Sequence, residues 1–292
     1  MPLAALMLGA AVCHSAWNFV LTSERRRLPA SLGALAVAAA LSAPVLLVHS
    51  LTELPARTWA LVLLSAAFET AYVVALTAAY DAGDLSLVYP IARGTAPLLV
   101  APLAVVLLGE RLSSSGLLGI ALVVAGIFAS QGPASGGAHA ARAVALAALT
   151  GVMTAGYSLV NKAGVTQAPV ALYAFLVLTA DALFFAAVLR ARRQLARPRG
   201  RAAWTRAAAV GVLMLAAYLA VLAAMARAPV SYVVAGREVS IVVTALTGAL
   251  VLGERHPTRR VAGAAVIFAG LVVLALSRLP FRTASERRLG VA

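Results

Sequence analysis

Cysteine, lysine and paired histidines are scarce in this chain of 292 residues, and each scarcity excludes a kind of site. Cys13 is the only cysteine, so neither an intramolecular disulfide nor a cysteine-based redox pair or metal cluster can form. Lys162 is the only lysine, and no glycine-rich loop with a lysine is present to hold the phosphates of ATP. No two histidines have the spacing of a helical metal motif. The sequence therefore predicts no cofactor and no metal.

Charged residues are also few, at 12%, whereas 62% of the chain is hydrophobic and the mean hydropathy is +0.95. These values lie outside the range of soluble globular domains. A transmembrane helix needs about 20 apolar residues, so this length accommodates about ten spans with short loops. The net charge of +14 comes mainly from arginines in the loops, which favours contact with anionic lipid headgroups over nucleic acid.

Apolar runs bounded by charged residues, proline or glycine predict an all-α integral membrane protein. The predicted spans, numbered in chain order, are Leu3–Leu21, Leu32–Val48, Trp59–Ala79, Leu85–Leu108, Gly116–Ser130, Val144–Leu159, Val170–Leu189, Ala207–Met225, Val230–Leu252 and Val261–Leu276.

An internal repeat organises these ten spans. The motif Leu108-Gly109-Glu110-Arg111 recurs 144 residues later as Leu252-Gly253-Glu254-Arg255, and the same displacement relates Arg93 to Arg237. It also relates Gly119 to Gly263 and Gly126 to Gly270, and we expect these four glycines to permit close helix packing.

The repeat predicts two five-helix units, residues 1–135 and 136–280, followed by a short basic tail, residues 281–292. Because five is odd, the second unit must enter the membrane from the opposite face, so the repeats are inverted. Inverted repeats are common in secondary transporters, where pseudo-symmetry provides alternating access to a central site.

Ionisable side chains inside the spans are the candidates for function, because each costs a few kcal/mol in hydrocarbon. Arg93 lies about 12 Å deep by helical rise, and Arg237 lies at the equivalent depth from the other face. Either these arginines form structural ion pairs with buried carboxylates, or they belong to a substrate or proton site. The remaining ionisable candidates are Glu69, Asp181, Glu238 and His14.

Helical spacing places further polar and aromatic residues on the same faces as these charges. An aromatic cavity with a few polar groups is typical of a small-ligand site. Prolines within the fourth span predict an asymmetric kink, because the ninth span lacks them. At the span ends, Glu110 and Glu254 are interpreted as solvated or loop-paired carboxylates. The aromatic and polar candidates for substrate binding are Trp17, Asn18, Tyr72, Tyr89, Tyr157, Ser158 and Tyr218.

The repeated Gly-Glu-Arg motif, at Gly109–Arg111 and Gly253–Arg255, together with five plus five spans, resembles the EamA-like family of the drug/metabolite transporter superfamily. The segments Gly83–Gly94 and Arg237–Ser240 are similar to recurrent patterns of this family. The resemblance implies a central cavity formed mainly by spans 1, 3, 4, 6, 8 and 9, with spans 5 and 10 peripheral. It also implies export of amino acids, related metabolites or small toxic compounds.

Two indications of orientation conflict. The face bearing the loops after odd-numbered spans carries fourteen basic residues against eight on the other face, which predicts both termini outside. The resemblance instead implies cytoplasmic termini, and we favour that orientation for a bacterial inner-membrane protein.

Three hypotheses of function follow. The first is a secondary active exporter of small solutes, coupled to protons through Asp181 or Glu69, with Arg93 or Arg237 binding an anionic group. The second is a flippase for a lipid or lipid carrier, and the third is a membrane-embedded enzyme. An enzyme is disfavoured because no nucleophile, base or paired carboxylates are arranged for catalysis. The sequence does not indicate an oligomeric state.

Overall fold

Long apolar helices form the whole of the described chain. The computed structural model describes residues 3–22, 27–83, 85–130, 138–195, 198, 200–242 and 258–277. Its α-helices, in chain order, are α1 (Leu3–Thr22), α2 (Arg27–Ser42), α3 (Ala56–Ala82), α4 (Leu85–Leu108), α5 (Ser114–Ala129), α6 (Ala138–Gly164), α7 (Val170–Ala191), α8 (Arg201–Met225), α9 (Val230–Gly236) and α10 (Thr258–Leu276), and a 3₁₀ helix, Ala43–Leu47, extends α2.

Seven of these helices are long and apolar enough to cross a membrane, namely α1, α2 with its 3₁₀ extension, α3, α4, α6, α7 and α8. The two shorter apolar helices are α5 and the last sixteen residues of α10, Val261–Leu276. Large apolar side chains such as Phe19, Val106 and Leu183 are 65–78% exposed, which suits a surface that faces lipid. The second copy of the repeated motif, residues 243–252 of the ninth predicted span and the basic tail lie outside the described residues.

Proline and serine begin the helices that start at one face. Pro55, Pro169 and Pro229 directly precede α3, α7 and α9, and the Ser113 side chain accepts a hydrogen bond from the Gly116 amide at the start of α5. Proline has a φ suited to helix entry and no N–H to leave unsatisfied. This face, which carries the α2–α3, α4–α5, α6–α7 and α8–α9 connections, is called the near face, and the other the far face.

The helix contacts follow a two-fold pattern. α3 packs on α6 as α8 packs on α1, and α2 packs on α8 as α7 packs on α3. Three pairs of repeat-equivalent helices, α2 with α7, α4 with α9 and α5 with α10, meet each other across the pseudo-two-fold axis. The arrangement is that of two five-helix repeats which interleave rather than sit side by side.

Glycines show that the two repeats run in opposite directions. A Cβ placed on Gly119 would lie 2.9 Å from the carbonyl oxygen of Gly270, and one on Gly126 would lie 2.8 Å from that of Gly263. The early part of α5 therefore meets the late part of α10, so the two helices are antiparallel. The four glycines predicted from the repeat permit close helix packing, and the inverted architecture is confirmed.

Helix α9 differs from the predicted continuous span. It ends at Gly236, residues 237 and 238 form a turn, and helix resumes over residues 239–242. Around the turn the Glu238 amide donates to the Ala235 carbonyl at 3.1 Å and the Ile241 amide to the Glu238 carbonyl at 2.9 Å, so the ladder tightens to 3₁₀ spacing. Glycine is a weak helix former. The two residues after Gly236 have partners on different helices, because Arg237 contacts Tyr157 of α6 and Glu238 contacts Arg93 of α4.

The prolines of span 4 do not interrupt its helix. α4 is continuous through Pro90, Pro97 and Pro102, whereas the proline-free α9 is interrupted after Gly236. A bend of α4 at its prolines stays a prediction.

Candidate functional site

A cavity of about 170 Å³ lies between the repeats, and most of the sequence-predicted site residues line it. The volume is below the range of about 300–1,000 Å³ for sites that hold drug-sized ligands, so it suits a smaller solute. From the candidate set, the cavity lining includes His14, Trp17, Glu69, Tyr72, Arg93, Tyr157, Asp181, Tyr218 and Arg237.

Among the candidates whose side chains the structure describes, three do not line this cavity. Ser158 is fully buried and donates to the Thr154 carbonyl of its own helix at 2.7 Å. Tyr89 lies beneath the Arg93 guanidinium, whose carbon is 5.9 Å from the ring centroid, a cation–π distance. Glu238 is occupied by Arg93, and the side chain of Asn18 lies outside the described part of the chain.

The two repeat-equivalent arginines have different partners. Arg93 Nε lies 3.1 Å from Glu238 Oε2, and its Nη2 donates to Ser240 Oγ at 2.9 Å. Arg237 Nη1 donates instead to the Tyr157 hydroxyl at 3.4 Å, and no described carboxylate lies within ion-pair distance of it. Arg93 is therefore neutralised within the protein, whereas Arg237 brings its positive charge to the cavity.

Glu69 is the centre of a hydrogen-bond network that joins three helices. Its Oε1 accepts from the Tyr218 hydroxyl at 2.9 Å and from Asn161 Nδ2 at 3.1 Å. Ser65 Oγ lies 3.2 Å from the same oxygen, and its single proton is shared between Glu69 Oε1 and the nearer Asn161 Oδ1. All three donors are neutral, and within the described ranges no cation is paired with this carboxyl group. One oxygen is fully used by the protein, and Oε2 accepts no hydrogen bond from a described residue.

Asn161 is the residue of this network that the sequence did not single out. Its Oδ1 accepts from Ser65 Oγ at 2.6 Å and from the Tyr173 hydroxyl at 3.1 Å, and its Nδ2 also contacts the Tyr218 hydroxyl at 3.1 Å. The side chain is 1% exposed. A signal was present, because Asn161 lies one helical turn after Tyr157 on the same face of α6. The sixth span was predicted to end two residues too early to include it.

Asp181 is the second cavity carboxyl group. Thr70 Oγ1 donates to its Oδ1 at 2.7 Å, and the residue is 5% exposed. Neither Asp181 nor Glu69 forms the structural ion pair with an arginine that the sequence left open, and only Glu238 does so among the described carboxylates. The cavity is thus lined by the carboxyl groups of Glu69 and Asp181 and the guanidinium of Arg237, which form no ion pair with one another.

Aromatic rings supply much of the remaining wall. Tyr72 and Tyr157 meet edge to face with centroids 6.0 Å apart, and His14 and Trp17 do so at 4.9 Å. Contacts of this kind fix the rings in place. The expected spans contribute to the lining, and no described residue of α5 or α10 does, as expected of peripheral spans. The lining also includes residues of α2 and α7, helices that the resemblance did not name. The α2 and α7 contributions are Ser31, Leu35, Leu178, Asp181 and Phe185.

A multi-pass helical membrane protein with two inverted repeats around a polar cavity is the class that this fold and site define. The model of the EamA-like transporter family matches residues 1–130 and 141–276, and the chain belongs to that family. It is a membrane transporter of the drug/metabolite type, for which a small-molecule substrate is expected.

Solved structures share the fold at low sequence identity. One crystal structure is 18% identical with a TM-score of 0.73, and the match covers 99% of both chains. A likeness at this identity indicates the architecture and not the substrate. No curated protein matches the chain.

Proposed function

We propose that the chain is a secondary active transporter that exports small organic solutes carrying a carboxylate, such as amino acids or related metabolites, across the plasma membrane, and that protons drive it. The observation that carries the proposal is Arg237, a half-buried guanidinium that lines the cavity and whose described partner is a neutral phenol. Domain units 1–135 and 136–280 are the two bodies that we propose alternate around the cavity, with residues 281–292 as a tail.

Arg237 supports recognition of a carboxylate. A guanidinium presents donors in a planar fork that matches two carboxylate oxygens. Leaving it without a charge partner inside a membrane protein is costly, and a substrate anion would offset that cost. Arg93 is less suited to this role, because Glu238 balances its charge and Ser240 accepts a hydrogen bond from its Nη2.

Glu69 and Asp181 support proton coupling. Asp181 is buried and Glu69 half-buried, and each carboxyl group is held by neutral donors on one oxygen only among the described residues. A carboxyl group in this setting can take up a proton on one face and release it on the other as the repeats move. The same groups can accept hydrogen bonds from an ammonium or amide of the solute, so substrate and proton compete for them.

Asn161 is a positioning residue in this proposal. It bonds to Ser65, Tyr173, Tyr218 and Glu69 at once, and therefore fixes the Glu69 carboxyl group against α6, α7 and α8. Hydrogen bonds to several partners at once restrict the geometry of a polar side chain in this way.

Transport in proteoliposomes with an imposed pH gradient tests the proposal. A panel of radiolabelled amino acids, small carboxylic acids and amines is offered to the purified chain, with Arg190→Ala, an exposed arginine at the end of α7, as the control for loss of positive charge. We expect gradient-driven movement of a carboxylate-bearing solute that Arg237→Ala reduces at least tenfold and Arg190→Ala does not.

Two outcomes would overturn this assignment. Movement of cationic amines alone, with Arg237→Ala unaffected, would remove the carboxylate site. Movement of a fluorescent phospholipid between leaflets, with no solute transported, would favour the flippase instead.

A further inference from the structure

The first copy of the Gly-Glu-Arg motif, which the structure describes, does not line the cavity, yet it makes an unusual contact. Gly109 has a φ of +65°, a left-handed conformation that favours glycine, and the Glu110 amide turns back to the Ala104 carbonyl at 3.1 Å. This turn ends α4 and directs the Glu110 side chain towards α9, which belongs to the other repeat.

Glu110 caps the start of α9. Its Oε1 accepts from the Val230 amide at 2.5 Å, and its Oε2 accepts from the Ser231 hydroxyl at 2.8 Å and the Ser231 amide at 3.3 Å. The first amides of a helix have no partner within it, and Pro229, which precedes α9, offers no side-chain cap. A carboxylate from the other repeat therefore satisfies them, and its charge is favourable at a helix N-terminus.

Lys162 holds the other end of the same connection. Its Nζ donates to the Met225 carbonyl at 2.5 Å and to the Ala228 carbonyl at 2.9 Å, which are among the carbonyls left open where α8 ends. The turn between α8 and α9 is thus bound by the Lys162 ammonium where α8 ends and by the Glu110 carboxylate where α9 begins. We call the contacts of Glu110 and Lys162 with residues 225–231 the near-face clasp.

The near-face clasp lies at one end of the cavity. Met225, whose carbonyl binds Lys162, also lines the cavity, whereas the lining at the other end reaches Ser31, one turn after the start of α2 at the far face. Arg237 lies at the end of α9, two turns after the capped amides. Any displacement of the α8–α9 turn therefore opens the cavity to the near face and moves the arginine that we assign to the substrate.

We propose that the near-face clasp is a gate, in which Glu110 bridges the two repeats while the near face is closed and releases α9 when that face opens. Glu110 is the gating residue because its contact joins different repeats, whereas Lys162 joins helices of one repeat and keeps the turn folded in both states. Alternating access requires contacts between repeats to break on the opening face. This inference goes beyond the proposed function, because it needs no particular substrate.

Sided chemical labelling tests the gate without a transport assay. In a Cys13→Ser background, Met225→Cys provides a single thiol between the clasp and the cavity. A charged, membrane-impermeant methanethiosulfonate is applied from the near face of oriented vesicles, and the labelling rate is measured. The variant is Glu110→Gln, and the control is Glu53→Gln, an exposed acid in the α2–α3 connection of the same face.

We expect Glu110→Gln to raise the near-face labelling rate about ten- to hundredfold, since charge-assisted hydrogen bonds contribute about 1.5–3 kcal/mol and labelling follows the open population when opening is fast. Glu53→Gln should leave the rate unchanged. Ser231→Ala, which removes one donor and keeps the carboxylate, should raise it by a smaller factor and guards against misfolding of the first variant.

Equal rates for Glu110→Gln and Glu53→Gln, with both proteins monodisperse, would overturn the gate. If the labelling changes as expected but no solute is transported, the gate stands and the proposed function fails. If a solute is transported but Glu110→Gln labels at the rate of Glu53→Gln, the proposed function stands and the gate fails.

Discussion

Arg93 and Glu238 form an ion pair between the two repeats, with 3.1 Å between Nε and Oε2. Arg237, the repeat equivalent of Arg93, has no such pair with a described carboxylate. The ion pair is largely buried, at 20% and 5% exposure of the two side chains. Two sequence-equivalent arginines have therefore diverged, and the structure gives a stabilising contact to one and a cavity position to the other.

This divergence predicts that Arg93 matters for stability. Arg93→Met leaves the Glu238 carboxylate buried without a partner, which typically costs about 3–5 kcal/mol, so the thermal midpoint in detergent should fall clearly. Arg93→Met combined with Glu238→Leu should recover most of the loss, because both charges are then removed. Arg190→Met, at an exposed site, should have little effect. A single variant as stable as the Arg190 control would show that the ion pair contributes nothing.

Substitution of Glu69 or Asp181 should affect net, gradient-driven transport differently from exchange of solute for solute. If Glu69 carries the proton, Glu69→Gln abolishes gradient-driven movement, because the neutral amide cannot release a proton, while exchange of solute for solute continues. Asp181→Asn should then retain gradient-driven movement. The measurement compares pH-driven flux with counterflow for each variant in proteoliposomes. The opposite result would assign coupling to Asp181, and unchanged flux in both would exclude coupling by these groups.

Asn161 should affect the pH dependence of transport more than the amount of folded protein. Asn161→Ala removes the Nδ2 hydrogen bond to Glu69 and leaves the Tyr173 hydroxyl without its acceptor. We expect a shifted pH profile of flux and a severalfold lower maximal rate, with partial rescue by Asn161→Gln, which keeps both kinds of group. Loss of folded protein without any change in the pH profile would make Asn161 a purely structural residue.

The sequence predicted the fold well because its signals were periodic. Apolar runs located the helices, and the displacement that relates Gly119 to Gly263 also gave the inversion that the α5–α10 contact confirms. The site was predicted less completely. Asn161 lies beyond the apolar run of the sixth predicted span. Its amide is hydrogen-bonded by side chains that are distant in the sequence, such as those of Ser65 and Tyr218, and the sequence alone does not show these partners.

The break in α9 and the partner of Glu110 escaped prediction for a related reason. Both depend on contacts between residues more than 100 positions apart, such as Glu110 with Val230 and Arg93 with Glu238. Local propensity favours a kink in the proline-containing α4 and gives no reason for one at Glu238. Tertiary pairing decides such positions, and a single sequence carries no record of it.

Glycine packing between α5 and α10 predicts a large cost for a single methyl group. In Gly126→Ala the new Cβ would meet the Ile267 amide nitrogen at 2.7 Å and the Gly263 carbonyl at 2.8 Å, so backbone atoms must move apart, at a cost of about 1–3 kcal/mol. Gly9→Ala is the matched control. Gly9 lies within α1, and a Cβ there would meet no neighbouring atom within 4 Å. Alanine is the better helix former, by about 1 kcal/mol, so this control should be neutral or more stable. Thermal unfolding of the two variants in detergent measures the difference, and equal midpoints would contradict close packing of these helices.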